Sequence, residues 1–165
     1  MKKRVLSILS SIMMLCCVFA MSLTDVQAAG NELIQVDGSY LTTEDTSTGK
    51  SPESVLRGKH LMDGECSISK AGRNRVYVYA ATTANHYVDF VSVIIYVDQY
   101  NEETGDWEQI DAWSVDDTDT YFVATSKSIT VDRGYYYRVH ADHFAGMDDE
   151  PLEETFSFTD GILVP

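Results

Sequence analysis

The chain is expected to form an all-β fold, a two-sheet antiparallel β-sandwich of about seven strands, and three observations lead there. Apolar residues recur at period two in several segments between residues 65 and 164, the pattern of strands with one buried face. Polar turns rich in Asp and Gly separate those segments at spacings suited to antiparallel neighbours. Outside the first 28 residues no stretch has helical periodicity. About seven strands in roughly 100 residues is the arithmetic of a sandwich. An eight-stranded jelly roll is the rival, and it needs residues 33–40 as an extra strand.

Residues 1–28 have the parts of a secretory signal peptide in order: basic Lys2-Lys3-Arg4, an uncharged stretch from 5 to 24, and the small-residue pattern Val26-Gln27-Ala28. A stretch of about 20 apolar residues also suffices to cross a bilayer. The small-residue pattern and the polar segment after it favour cleavage behind Ala28. Cys16 and Cys17 lack the small residue before them that lipid attachment requires, so no lipid anchor is expected.

Residues 29–61 are expected to be an arm or linker, because Thr42-Thr43-Glu44-Asp45-Thr46-Ser47-Thr48-Gly49 offers almost nothing to bury. The sandwich itself is assigned to 62–165. Its first strand is short, over 65–70. Residues 75–83 alternate, with Val76, Val78 and Ala80 on one side. Residues 87–100 form a longer strand with Val91, Val93, Ile95 and Val97 on one side and Phe90, Ile94 and Tyr96 on the other. A polar turn over 101–106 leads to a strand over 107–114, then to an acidic loop, Asp116-Asp117-Thr118-Asp119. Strands over 121–131 and 135–143 flank the corner Asp132-Arg133-Gly134. A second acidic loop, Asp148-Asp149-Glu150-Pro151, precedes a last strand over 155–164.

The chain has 12 basic and 26 acidic residues, and removing the leader's three basic and one acidic residue takes the net charge from −14 to −16. Such a surface repels phosphate backbones and anionic headgroups, so neither nucleic acid nor stable membrane insertion after leader cleavage is expected. The 137 residues behind the leader suit one domain. Cys66 is then the sole cysteine, which excludes an intramolecular disulfide and points to a small buried residue.

The run Val131-Asp132-Arg133-Gly134-Tyr135-Tyr136-Tyr137-Arg138-Val139-His140-Ala141 resembles the corner of fibronectin type III-like and immunoglobulin-like sandwiches. That resemblance implies that the Tyr137 hydroxyl closes the corner onto nearby backbone, although Arg133 stands where the family usually has proline. A longer resemblance runs from Gly38 to Pro165. It rests on Leu41-Thr42-Thr43-Glu44, Arg57-Gly58, Ser69-Lys70-Ala71-Gly72, Ala81-Thr82-Thr83-Ala84, Gln99-Tyr100 before Trp107, and Gly134-Tyr135-Tyr136-Tyr137-Arg138-Val139. In these the chain is similar to a family of small, secreted, Gram-positive-type bacterial proteins with one domain of unknown function. The resemblance implies secretion and a single all-β domain; it implies no activity.

Alternation places Tyr136, Arg138 and His140 outward if Tyr137, Val139 and Ala141 point inward. The fibronectin-like strand order that the corner resemblance implies makes the two strands neighbours, which would set Tyr96 beside Tyr136 and Arg138, with Trp107 or Trp113 at the border. Rings and Arg dominate recognition surfaces, so these five residues are the candidate ligand site, for a glycan or protein ligand not defined by the sequence. The competing reading is cover by the arm or simple cross-strand pairing. No cofactor and no metal site are expected. His140, Asp142 and His143 alternate between faces, so at most two could meet one ion, and neither acidic loop matches an EF-hand. No catalytic residue is assigned, since neither a Gly-x-Ser-x-Gly turn nor a Cys beside a His is present. The expected function is a non-enzymatic extracellular binding module, with a structural or cell-surface interaction protein or a secreted hydrolase as alternatives. Exported protein should begin at Ala29; N-terminal sequencing that found Met1 on membrane-bound material would reject the leader assignment.

Overall fold

A computed structural model describes residues 33–52 and 58–165, and the leader assignment lies outside them. The described residues contain nine strands and no helix. They are β1 Gln35–Val36, β2 Ser39–Thr42, β3 Thr46–Lys50, β4 Leu61–Lys70, β5 Arg75–Asn101, β6 Asp106–Thr130, β7 Tyr135–Gly146, β8 Glu153–Phe158 and β9 Gly161–Val164. The all-β expectation holds.

The strands join in one curled mixed sheet, ordered β1-β2-β9-β7-β5-β4-β3, with β6 on the other edge of β5 and β8 on β7. This differs from two separate antiparallel sheets. β5 and β6 form a hairpin long enough to serve both halves: β4 pairs with the first half of β5 and β7 with the second. The sheet curls so that β4 packs against β7 and β8. β2 runs parallel to β9, with Leu41 opposite Gly161.

Residues 33–50, expected as arm or linker, supply β1, β2 and β3. Ladder pairing with β9 and β4 holds β2 and β3, and side-chain hydrogen bonds add to it: Ser39 Oγ donates to the Thr159 carbonyl at 2.7 Å, and the Tyr40 amide to Asp160 Oδ1 at 2.9 Å. Asp116-Asp117-Thr118-Asp119 is no loop but part of β6, opposite Phe90, Val91 and Ser92 of β5. The expected last strand is two strands, because Thr159 turns back onto Val139, bonding its amide and its carbonyl at 3.0 and 2.8 Å.

Parity explains the core. Val76, Val78 and Ala80 point inward from the first half of β5, and Val91, Val93, Ile95 and Val97 from the second, all 0% exposed. The inward set changes from even to odd because four β5 residues, 84–87, stand opposite the single β6 residue Tyr121. Three extra residues, an odd number, restore both halves to the same concave side. Each fully buried Val or Ile contributes roughly 1.5–3 kcal/mol. Facing them are Cys66 and Ile68 of β4, Tyr137, Val139 and Ala141 of β7, and Ile162 and Val164 of β9. The Tyr137 hydroxyl donates to the Asp132 carbonyl at 2.9 Å.

His143 lies in the middle of this apolar body, 0% exposed. Thr82 Oγ1 donates to the Ser92 carbonyl at 2.9 Å, which leaves it to accept from His143 Nδ1, also at 2.9 Å. His143 Nε2 then accepts from Ser157 Oγ at 2.8 Å. A neutral imidazole completes this chain. Gly64 makes room for the ring: a Cβ there would come within 2.3 Å of His143 Cδ2.

Burial pushes His143 from 6.5 down to about 4. An unfolded chain takes up that proton as pH falls through 6.5, while the folded chain refuses it until about 4. Stability should therefore fall by about 3 kcal/mol between those pH values and gain nothing further above 7. In His143→Gln, which keeps donor and acceptor but cannot titrate, denaturant unfolding should lose most of that slope; an unchanged slope would refute the assignment.

Candidate functional site

Residues opposite one another in an antiparallel ladder share a face, so the outward side of β5, β7 and β8 can be assembled from register. Asp98 stands opposite Arg138, Tyr96 opposite His140, and Ile94 opposite Asp142. Phe158 and Phe156 extend the last two rows on β8.

Arg138 anchors the face. It is 6% exposed, and Asp98 3%. Its Nε donates to Asp98 Oδ2 at 3.0 Å and its Nη2 to Asp37 Oδ2 at 2.9 Å. Nη1 donates to the Asp37 carbonyl at 3.0 Å and to Ser39 Oγ at 3.2 Å. The Trp107 ring lies 4.6 Å from the guanidinium carbon and is held by Nε1 donating to the Val36 carbonyl at 3.1 Å. Asp98 feels burial first, which raises its pKa, but hydrogen bonds and charge from His140 and Arg138 outweigh it and hold the carboxyl below its usual range.

His140 Nδ1 sits 3.1 Å from the same Asp98 oxygen, and its ring stacks on Tyr96 with centroids 4.5 Å apart. The Tyr96 hydroxyl donates to Asp142 Oδ2 at 3.1 Å; burial, then that carboxylate, raise its pKa. Beyond these rows the surface dips into a cleft of about 310 Å³, lined by Asp37, Arg138, His140, Asp142, Phe156, Ser157 and Phe158. The two phenyl rings are nearly parallel, 6.1 Å apart, and stand 46% and 39% exposed.

The residues chosen from sequence are dispersed by this geometry. Tyr96 and Arg138 lie on the outward face, but four of the five N–H groups of Arg138 are engaged by Asp98, Asp37 and Ser39. Tyr136 meets Tyr100 edge-on at 6.5 Å, toward the β6 hairpin end, where Tyr100 also meets Trp107. Trp113 is on the opposite side of the sheet. A bulge at Ile110, between the pairs Val97–Asp111 and Asp98–Gln109, changes the parity of β6. Trp113 consequently packs on the core, donates from Nε1 to Thr125 Oγ1 at 2.9 Å and carries Lys127 over its ring. Phe156, Phe158, Asp37 and Asp142 join the face only in the fold; for the two phenyl groups the alternation Glu154-Thr155-Phe156-Ser157-Phe158 is the signal in the sequence that sets them on one side.

A second polar cluster sits where β5 bulges. His60 Nδ1 is 3.2 Å from His86 Nε2, and His60 Nε2 is 2.9 Å from Glu150 Oε2, while Lys59 pairs with the other oxygen, Oε1. Hydrogen bonds from His60 and Lys59 lower Glu150 to about 2. Glu153 accepts the amides of Lys59, His60 and Leu61 at 2.6, 2.8 and 2.7 Å. These contacts latch the loop before β8 to the start of β4. Among the described residues no group of three or more His, Cys, Asp or Glu is placed to hold a metal ion.

Fold and site together define an acidic all-β domain with an open aromatic cleft on an outward sheet face. Residues 27–159 match a family described only as a family of unknown function, DUF6147, and the chain belongs to that family. No curated protein matches it.

Arg138→Met should cost about 3–5 kcal/mol, because it leaves the Asp98 carboxylate buried without its partner. Asp37→Asn alters a side chain that is 78% exposed, and should cost no more than about 1 kcal/mol. Urea unfolding of both variants checks this order; equal losses would contradict it.

Proposed function

We propose that the protein is exported by its leader and acts outside the cell as a non-enzymatic binding module, with the ligand seated in the cleft on β7 and β8. The observation that carries this reading is the pair of exposed, parallel phenyl rings beside Asp142 and His140. Exposed rings at a concave surface are what recognition sites present, and burying them against a ligand is favourable. The packing of β4 on β7 and the Tyr137 corner support a kinship with fibronectin type III-like and immunoglobulin-like binding sandwiches. The one nucleophile–base pair beside the cleft is Ser157 Oγ with His143 Nε2, 2.8 Å apart, and both residues are buried on the core side, 1% and 0% exposed, out of a ligand's reach, which favours binding over turnover.

A structural or cell-surface interaction role has one observation behind it, the outer edge of β6, which pairs only with β5 among the described strands. Six acidic residues and no basic one lie between Asp106 and Ser126. Like charges along an open edge oppose pairing between copies, so self-association is the weaker reading.

The double variant Phe156→Ala/Phe158→Ala should lose binding to whatever wild type captures from glycan and peptide arrays. Its unfolding free energy should stay within roughly 1–2 kcal/mol of wild type, because both rings are already part-exposed. Retained binding in a folded double variant would rule the cleft out.

A further inference from the structure

Resting on the reading that this cleft holds a ligand, we propose that it accepts a primary ammonium group on an apolar stem, the end of a lysine side chain. Two carboxylates, Asp37 and Asp98, pair with the guanidinium of Arg138, and a third, Asp142, lines the same cleft as Asp37 and Arg138. Arg138 is spent on Asp98, Asp37 and Ser39 and is covered by Trp107. An anionic ligand would meet carboxylates and an Arg with four of its five N–H groups committed elsewhere, so phosphate and carboxylate ligands are disfavoured.

What remains available has the opposite preference. Asp142 uses Oδ2 to accept from Tyr96, and Asp37 uses Oδ2 to accept from Arg138; the Oδ1 atom of each has no partner among the described residues. The faces of aromatic rings carry partial negative charge and attract cations within about 6 Å of the ring centre. Phe156 and Phe158 present such faces at the mouth of a cleft of about 310 Å³, large enough for one side chain. A lysine stem can lie along the two rings while its ammonium reaches Asp142. The chain's net charge of −14 adds long-range attraction for a basic partner.

The test is a chemical-shift titration of the full chain with Nα-acetyl-lysine methylamide, its norleucine analogue, glucosamine and N-acetylglucosamine oligomers. The lysine compound should shift the Phe156 and Phe158 signals saturably, and the norleucine analogue, which has the stem without the ammonium, should bind at least tenfold more weakly. Asp142→Asn should weaken lysine binding at least tenfold; if that variant unfolds, Phe158→Leu, which keeps the apolar volume and removes the ring face, should do the same. Equal binding of norleucine, stronger binding of glucosamine, or indifference to the folded variant would overturn the lysine assignment. Shifts at the same residues from the sugar oligomers alone would overturn it while leaving the cleft as a binding site. Silence from all four compounds would reject the lysine assignment, and only a failure of the array screen as well would remove the cleft.

Discussion

One strand has to serve two facing halves of the same core, and the rest of the structure follows from how β5 does it. An antiparallel strand carries its apolar side chains at every second position, so a strand that curls back must keep its inward set inward. The three-residue excess at 84–87 achieves this, and the hydroxyl of Thr82 ties the two sides of the bend by donating to the Ser92 carbonyl. His143 and Ser157 continue that tie into β7 and β8. The curl of the sheet, the approach of β4 to β7 and the position of β8 thus rest on a short polar chain inside an apolar core. Such a chain is stabilising only when every member is satisfied.

A second buried polar group shapes the outer surface. Removing Arg138 and Asp98 from water is costly, and the cost is offset because the guanidinium finds two carboxylates, a carbonyl, a hydroxyl and an indole face. Several of those partners come from the β1–β2 turn, where Asp37 adopts φ 47° and Gly38 φ 81°. The turn is therefore pinned onto β7 by charge rather than by apolar burial, and it forms one wall of the cleft. Consuming Arg138 in this way leaves the neighbouring surface to carboxylates and phenyl rings, so the character of the cleft is a by-product of what stabilises its wall.

The alternation of Val76 to Ala80 and of Val91 to Val97 was enough to identify the inward residues of β5, because period two is written locally and does not depend on partners. The same holds for Tyr137, Val139 and Ala141 of β7. Segments lacking apolar pattern form strands all the same. Residues 39–50 looked like a linker because they bury little, yet their backbone groups complete ladders with β9 and β4. Asp116 to Asp119 looked like a loop because acids dominate it, yet an edge strand with one side in water tolerates them.

The candidate site was legible in part and for a definable reason. Tyr96, Arg138 and His140 could be placed on a common outward face from parity and strand adjacency alone. Trp113 could not, since the bulge at Ile110 reverses parity within β6 and has no sequence mark of its own. By itself the sequence determined an acidic all-β chain, the burial of Cys66 and the inward residues of its main strands, because charge and period two are properties of the local chain. Only the tertiary structure decided the parallel docking of β2, the engagement of Arg138 and the meeting of Phe156, Phe158, Asp142 and Asp37 at one cleft. Those depend on which distant segments become neighbours, and hydrogen-bond pairing between backbones sets that with little regard to side-chain identity.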